Sequence, residues 1–342
     1  MSKKNKVVVL GGGFSSERNV SFASAANVAI NLRELGYEVS TVDPCTGVVD
    51  AEREVEYREG SIQNAPTLEE LCRLKQDVNM PSLLQSEPFL SAEIIFPLVH
   101  GEFGEDGRLQ AILESENFPY VGSDYVGQAL AMNKHLAKQL FVQNNVPTAP
   151  WICVKREESH ELKIDLPAIV KPVNGGSTMG MSICRQTSEL KAAVERAFKY
   201  DSQVMIEKFV RGREFTVGVL DQEVLAVGEI RSNAEMFDYQ AKYQAPQTEE
   251  VFPAQLDPSI IEEVKLICRK VCEALQLRHY CRIDFILDDG NGVSILEANA
   301  IPGMTKKSLY PQSAEAAGVP FAKACERLCE MALRDHKPLQ CN

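Results

Sequence analysis

The clearest pattern along the chain is an apolar run, Val7-Val8-Val9-Leu10, that ends in Gly11-Gly12-Gly13 and leads into a segment of helical spacing. There Val20, Phe22, Ala25, Val28, Ala29, Leu32 and Leu35 fall near the 3.6-residue period, and Gly36 supplies a C-terminal stop. A continuous β-branched run suits a strand buried on both faces. The order is therefore strand, glycine loop, helix, and a second strand over 37–44 makes a βαβ opening of the doubly wound type. From about 46 to 90 the chain is charged and poorly periodic, which predicts an insertion on the surface. The strong pattern resumes with a buried strand over 92–101, a turn and helix over 104–117, and a closing segment at 119–124.

Beyond that point, 124–145 predicts one helix that stops before Val146-Pro147, and 166–184 predicts strand, glycine loop, strand. An amphipathic helix over 188–200 and a strand over 202–210, placed to act as a hinge, follow. The remainder alternates strands (214–220, 223–230, 282–289, 293–300) with a long helix over 259–276 and a final helix. At 342 residues the chain exceeds the ~250–300 that one core usually fills. Two or three units are expected, the first an N-terminal doubly wound α/β domain over 1–122 that carries the 46–90 insertion.

Composition narrows the class. With 44% hydrophobic and 25% charged residues the chain is an ordinary globular one. A formal charge of −12 argues against nucleic acid or an anionic membrane surface as partner, because both are densely negative. The basic start Met1–Lys6 leads straight into the first strand, is too short for a span and has no cleavage site, so a cytoplasmic protein is expected. Ten cysteines occur without any Cys-x-x-Cys. Cys268 and Cys272, like Cys325 and Cys329, sit four apart in predicted helices, where they read as small apolar residues on one face.

Two constellations carry candidate chemistry. Lys171, at the end of an apolar strand, precedes a loop containing Gly175, Gly176 and Gly180. Glycines let backbone N–H groups converge on phosphate oxygens while the lysine adds a point charge. The same residues also suit a tight hairpin that holds no ligand, and neither the P-loop nor the GxGxxG pattern is present. In the second constellation, strand alternation sends Arg282 and Asp284 to one face, and Glu297 and Asn299 likewise to one face. Two carboxylates and an amide oxygen are hard ligands of the kind magnesium takes; a solvated sheet face would look the same.

An ordered series of motifs joins these: Gly-Gly-Gly-x-Ser-x-Glu-Arg-x-Val-Ser from Gly11, His-Gly-x-x-Gly-Glu-Asp-Gly from His100, Lys-Pro-x-x-x-Gly-Ser from Lys171, Glu-Phe-Thr-Val from Glu214, Tyr-x-Ala-Lys-Tyr from Tyr239, Arg-x-Asp-Phe from Arg282, and Glu-x-Asn-x-x-Pro-Gly-Met-Thr from Glu297. In this order they resemble the D-alanine–D-alanine ligase family of ATP-grasp enzymes over nearly the whole chain, 46–90 excepted. The resemblance implies an ATP-grasp fold of three domains, an N-terminal Rossmann-like domain over 1–122 followed by a central ATP-grasp subdomain over 123–206 and a C-terminal one over 207–342 that carries the metal site. It implies ATP as co-substrate, two magnesium ions or manganese, a homodimer, and synthesis of D-alanyl-D-alanine for peptidoglycan through a D-alanyl phosphate.

By that match Asp284, Glu297 and Asn299 are the metal ligands. Lys134, Lys171 and Lys242 contact phosphates, with the loop around Ser177 and Thr178 closing over them. Glu207, Lys208 and Val210 line the adenine pocket, and Glu214 meets the ribose. Arg282 and the Gly303 N–H stabilise the developing negative charge. Glu17 receives the first amino acid's ammonium and is linked through Ser177 to Tyr243; His100 lies beside that substrate. Ser308 and Leu309 hold the second amino acid's carboxylate. Read by residue type alone, Glu17 is a helix-start carboxylate, His100 a structural histidine, Arg282 a surface ion pair and Gly303 a turn glycine.

The chain departs from the family pattern at four places. Gly175 stands for a common Glu, Asn133 for a common Asp, Ala298 and Ala300 for Val and Thr, and Lys306-Lys307 for Ser-His beside the acceptor site. Alternative readings are therefore a ligase for a different acceptor, D-serine, D-lactate or another amino acid, and a nucleotide-binding regulator without turnover. Tyr243 speaks against D-lactate, and the complete Arg282, Asp284, Glu297, Asn299 set against the regulator.

Overall fold

The computed structural model describes residues 4–59, 66–156, 164–176, 179–232 and 248–336. The N-terminal sheet contains β1 (Lys6–Leu10), β2 (Glu38–Asp43), β3 (Gly47–Val48) and β4 (Ile94–Pro97), in the order β3-β2-β1-β4. β1 runs parallel to both β2 and β4, and β3 is an antiparallel edge. The connection from β1 to β2 is helix α1 (Arg18–Glu34), as the periodicity predicts.

Both faces of this sheet are buried, which is why its strands lack polar alternation. Val7 and Val9 point into one core with α1 residues Val28 and Leu32; Val8 and Leu10 point into another with Val42 and Ile95. The segment 46–90 corrects the surface-insertion reading. It holds helices α2 (Ala51–Glu59), α3 (Leu68–Asp77) and α4 (Met80–Leu84), and Met80, Leu84 and Phe89 are buried beneath Val8 and Leu10. Its helices are short and start on side-chain caps: Thr67 and Glu70 form a capping box on α3, and Asn79 caps α4. Short capped turns with one or two buried residues leave little periodicity to detect.

Helix α5 (Arg108–Ser115) completes the first unit. The helix predicted over 124–145 is two helices, α6 (Tyr125–Met132) and α7 (Lys134–Gln143). Asn133 breaks it: its Oδ1 accepts from Leu136 N at 2.9 Å as the N-cap of α7, and Lys134 N donates to Val173 O at 3.1 Å instead of continuing α6. An asparagine side chain competes with the helix backbone in this way. Both halves bury an apolar face, so the period ran through the break.

The central sheet is antiparallel and ordered β5-β8-β6-β7, from β5 (Trp151–Lys155), β6 (Ala168–Pro172), β7 (Ser182–Cys184) and β8 (Gln203–Lys208), with α8 (Thr187–Ala197) packed on it. The C-terminal sheet is also antiparallel, ordered β11-β10-β9-β12-β13. Its strands are β9 (Gly212–Leu220), β10 (Glu223–Ser232), β11 (Thr248–Val251), β12 (Tyr280–Asp288) and β13 (Val293–Asn299). Helix α9 (Pro258–Ala274) covers one face through Val264, Cys268 and Val271. Helices α10 (Leu309–Ala316) and α11 (Phe321–Asp335) end the described chain.

Helix α11 packs back onto the N-terminal sheet: Ala324, Cys325, Leu328 and Cys329 share a core with Val7, Val9, Ile94 and Phe96. Cys268, Cys325 and Cys329 are buried and Cys272 partly so, as small apolar residues of their helices. The N-terminal and C-terminal units thus meet over an apolar surface, beside a buried polar seam centred on His279. Its Nδ1 accepts from Gly122 N at 2.9 Å, and Nε2 lies 3.2 Å from Asp335 Oδ2.

Burial, with the nearby Arg278 charge, pushes this imidazole down to about 4, against the pull of Asp335. Between that value and the ordinary ~6.5, the unfolded chain binds a proton that the folded one excludes, so stability falls as pH drops through the window. Lowering pH from 7.5 to 5 is expected to cost about 2 kcal/mol through this one group. Urea unfolding of the wild type and His279→Gln at the two pH values measures it as a smaller loss in the variant; equal losses would show that His279 is not the group responsible.

Candidate active site

The glycine loop after β1 is fixed by one buried ion pair. Arg18 Nη2 donates to Asp43 Oδ2 at 2.6 Å, and Arg18 also donates to the Gly13 carbonyl. Asp43 further accepts from Gly13 N at 3.0 Å, Cys45 N at 3.1 Å and Thr46 Oγ1 at 2.7 Å. The loop must be glycine at its centre: Gly12 and Gly13 have φ of +86° and +81°, and a Cβ at Gly12 would stand 2.6 Å from the Phe22 ring. This frame places Glu17 at the start of α1.

The Glu17 carboxylate faces two other segments. A Cβ on Gly176 would lie 3.2 Å from Glu17 Oε2 and one on Gly101 3.7 Å from it, so the loop after β6 and the turn after β4 both reach this carboxylate. His100, in the same turn, is 4% exposed. Its Nε2 is 3.3 Å from Ser24 Oγ and its Nδ1 3.9 Å from Glu105 Oε1. Burial lowers the imidazole's proton affinity, but the hydrogen bond and charge of Glu105, with the charge of Glu17, outweigh it and raise His100 above its ordinary value. Burial in turn raises the Glu105 carboxyl. His100 is thus held near the Glu17 charge in a protonatable state.

A second centre lies between the central and C-terminal sheets. Glu207, at 1% exposure near the end of β8, is paired with two lysines: Lys171 Nζ is 2.7 Å from Oε2, and Lys138 bonds Oε1. Burial alone would raise this carboxyl, yet the two ammonium groups outweigh it and hold it below the ordinary range. Burial likewise disfavours the Lys171 ammonium, and Glu207 more than compensates. Lys138 also donates to Thr148 Oγ1 at 2.6 Å, which donates to Ile295 O of β13 at 2.9 Å. Sequence reading missed Lys138; the available signal was a lysine on the apolar face of α7, one turn from Phe141.

The acidic strand pair lies next to this centre. β12 and β13 are antiparallel, with Arg282 opposite Asn299 and Asp284 opposite Glu297. A register shift after Asp284 brings Ile295 opposite Phe285, leaving Leu296 as the extra residue of a bulge. Arg282 donates to both Asp284 oxygens at 2.9 and 2.8 Å, Asn299 Nδ2 to Oδ2 at 3.0 Å, and Thr216 Oγ1 from β9 to Oδ1 at 2.6 Å. Lys134 links this pair to the glycine loop: its Nζ donates to Gly175 O at 2.5 Å and is 3.6 Å from Glu297 Oε2. Among the described residues no three acidic, histidine or cysteine side chains cluster for a metal. The grouped oxygen donors are two carboxylates and an amide.

The third centre is the turn after β13. Ser308 precedes α10, and its Oγ accepts from Thr305 N at 3.0 Å and lies 2.8 Å from Thr305 Oγ1. A Cβ on Gly303 would stand 2.8 Å from the same Oγ, so the turn has no room for a side chain there. Leu309 is anchored against Ile230 and Phe252. Lys306 and Lys307 are both exposed. Sequence reading also missed Glu250 on β11: Gln312 Nε2 donates to its Oε2 at 2.5 Å and to Lys307 O at 3.1 Å. Burial raises the Glu250 carboxyl, with the Gln312 hydrogen bond and then the Arg282 charge opposing.

Other predicted residues are more peripheral. Glu214 lies at the start of β9, paired with Ile286 and Ile230, and Val210 is half-buried in the link from β8 to β9. The Lys208 side chain is exposed beside Asp165, at 3.9 Å, on the face of β8 opposite Glu207. Ser177, Thr178, Lys242 and Tyr243 lie outside the described residues.

Two family models match the chain: D-ala D-ala ligase N-terminus over residues 6–123 and D-ala D-ala ligase C-terminus over residues 140–330. A D-alanine–D-alanine ligase of Syntrophobacter fumaroxidans is 37% identical over 344 aligned residues, covering 98% of this chain and 99% of that protein. The chain belongs to the D-alanine–D-alanine ligase family.

Solved structures agree with this. The D-alanine–D-alanine ligase of Bacillus anthracis complexed with ATP superposes with a TM-score of 0.74 at 28% identity, covering 97% of this chain and 98% of that one. A D-Ala:D-Ser ligase of Enterococcus faecalis gives 0.79 at 25% identity, with 96% and 99% covered. The fold is the ATP-grasp fold with a Rossmann-like N-terminal domain that the motifs implied. Among the described residues no helix is long and apolar enough to cross a membrane.

The Arg18–Asp43 pair gives the site a measurable support. Asp43→Ala leaves a buried guanidinium and several loop donors without their acceptor, which is expected to lower unfolding free energy by about 3 kcal/mol or more. A urea midpoint within error of the wild type would show that the loop does not depend on this pair.

Proposed function

We propose that the chain joins two D-alanines into D-alanyl-D-alanine for peptidoglycan precursor synthesis, converting ATP to ADP and phosphate through a D-alanyl phosphate. One observation carries the reading within the family. Lys134 reaches both the glycine-loop carbonyl of Gly175 and Glu297, so the loop suited to phosphates and the acidic strand pair meet at one ammonium.

The chemistry follows from the poor leaving ability of a carboxylate oxygen. A D-alanine carboxylate oxygen attacks the γ-phosphorus and ADP departs; the second amino acid's amine then attacks the acyl carbon and phosphate departs. Negative charge grows first on phosphoryl oxygens and then on a tetrahedral oxyanion, where preorganised cations and N–H donors act most strongly. Lys134 and Lys171 serve the first stage, with Lys242, Ser177 and Thr178 assigned beside them by family resemblance. Arg282 and the Gly303 N–H serve the second.

Asp284, Glu297 and Asn299 fit magnesium or manganese: hard oxygen donors on paired strands, a set that phosphate oxygens and water would complete. Such ions, two in the proposed state, would neutralise phosphate charge and polarise the transferred group. The adenine goes beside Glu207, whose Oε2, though in ionic contact with Lys171, has no partner in hydrogen-bond geometry. Lys208 and Val210 line the adenine pocket with it, and Glu214 takes the ribose.

Glu17 receives the first D-alanine's ammonium, with His100 alongside and Tyr243 and Ser177 completing the link. Ser308 and Leu309 hold the second amino acid's carboxylate. The assembly we propose on the family resemblance is a homodimer in the cytoplasm. A second reading, a different acceptor such as D-serine, is favoured by one feature: Lys306-Lys307 and the Gln312–Glu250 pair flank Ser308.

The test is mass identification of products from ATP and magnesium with D-alanine alone, then with D-serine or D-lactate added. D-alanyl-D-alanine and phosphate from D-alanine alone are expected. Phosphate only after addition of another acceptor would overturn the D-alanine assignment. Glu297→Gln is expected to reduce turnover by at least about a hundredfold while the protein stays folded, because it weakens the metal bridge; undiminished turnover would misplace the site.

A further inference from the structure

Helix α1 does more than cross between two strands. Its buried face presents Ser24, fully buried, and Asn27, 3% exposed, one helical turn apart. Both reach a residue nearly 280 positions away. Asn27 Nδ2 donates to Met304 O at 2.7 Å, and Met304 N donates to Ser24 Oγ at 3.0 Å. Both backbone polar groups of one residue are therefore held by side chains of another domain. That residue directly follows Gly303, in a turn squeezed on its other side by Ser308.

We propose that Ser24 and Asn27 are positioning residues for acyl transfer, fixing the Pro302-Gly303-Met304 turn so that the Gly303 N–H faces the reacting carbonyl. The inference rests on the proposed ligase reading. An oxyanion donor acts in proportion to how firmly it is aimed before charge develops; apolar burial of Ile301 and Met304 and the Ser308 contact limit where the turn can sit, and the Ser24 and Asn27 bonds add direction to the peptide groups on either side of Met304. Ser24 carries a second contact, 3.3 Å from His100 Nε2. One hydroxyl thus joins the histidine beside the first amino acid to the turn that handles its activated carbonyl. A helix that starts at Glu17 and grips the turn ten residues later sets the distance between ammonium and carbonyl sites.

Satisfying buried polar groups would by itself predict only a loss of stability. Positioning predicts something else: without the clasp, acyl phosphate still forms, but amine attack slows and water competes. In full-length protein, Asn27→Ala and Ser24→Ala are expected to reduce the kcat of dipeptide formation by about tenfold or more. The KM for ATP should stay close to wild type, and phosphate released per dipeptide should rise above one.

Asn31→Ala is the control, since Asn31 Nδ2 donates to Asn27 O at 2.8 Å on the same helix without touching the turn. It should keep the wild-type ratio. The ratio does not depend on how much of a variant folds. A ratio of one in both clasp variants, with kcat no lower than in Asn31→Ala, overturns the positioning role. Failure of the wild type itself to make dipeptide would instead overturn the ligase reading.

Discussion

Two lysines sharing one buried carboxylate hold the cleft together. Glu207 pairs with Lys171 from β6 and with Lys138 from α7, and Lys138 continues through Thr148 to the backbone of β13. Burying three charged groups is costly unless each is paired and hydrogen-bonded, so the arrangement persists only if helix, two strands and the link between sheets hold their mutual positions. The triad carries one net positive charge. Glu297 adds its charge near Lys171, and the glycine loop that begins at Lys171 lies beside this balanced set of cations and carboxylates.

The same logic explains why the N-terminal domain is fastened to the C-terminal one by polar contacts at the site and apolar contacts behind it. Behind, α11 packs its cysteines and leucine on the parallel sheet, with the His279 bonds to Gly122 and Asp335 beside that apolar contact. At the front, Ser24 and Asn27 grip a single turn, where direction matters. Apolar burial supplies most of the stabilisation; hydrogen bonds supply the aim.

Much of this was legible in the chain because it depends on local pattern. Apolar runs gave the buried strands, alternation put Arg282 with Asp284 and Glu297 with Asn299, and glycines marked turns that a side chain could not enter. What escaped was of three kinds. The Asn133 break was hidden because one apolar period spans both helices, although the asparagine was a usable cap signal. The buried turns of 46–90 were hidden because Met80 and Leu84 make up a single helical turn and Phe89 lies beyond its end, too few buried positions to establish a period. Lys138, Glu250 and the α1 clasp were hidden because their partners are distant in sequence. A lysine on an apolar helix face states that a buried carboxylate exists; it does not state which one.

The chain's overall charge of −12 opposes a polyanionic ligand, and the geometry shows how the opposition is avoided. At physiological salt, charges separated by more than about 8 Å are largely screened in water, so exposed acidic helices contribute little inside the cleft. Within it, three carboxylates are held against cations: Glu207 by two lysines, Asp284 by Arg282, Glu297 by Lys134. An arriving phosphate therefore meets ammonium and guanidinium groups already oriented by acidic partners. Those partners pin the cations before the ligand arrives, so less side-chain freedom remains to be lost when phosphate binds. The Arg282–Asp284 pair shows the consequence most directly, because the carboxylate that orients the guanidinium is also one we propose for the metal, so an ion held there would draw on a bond that already exists.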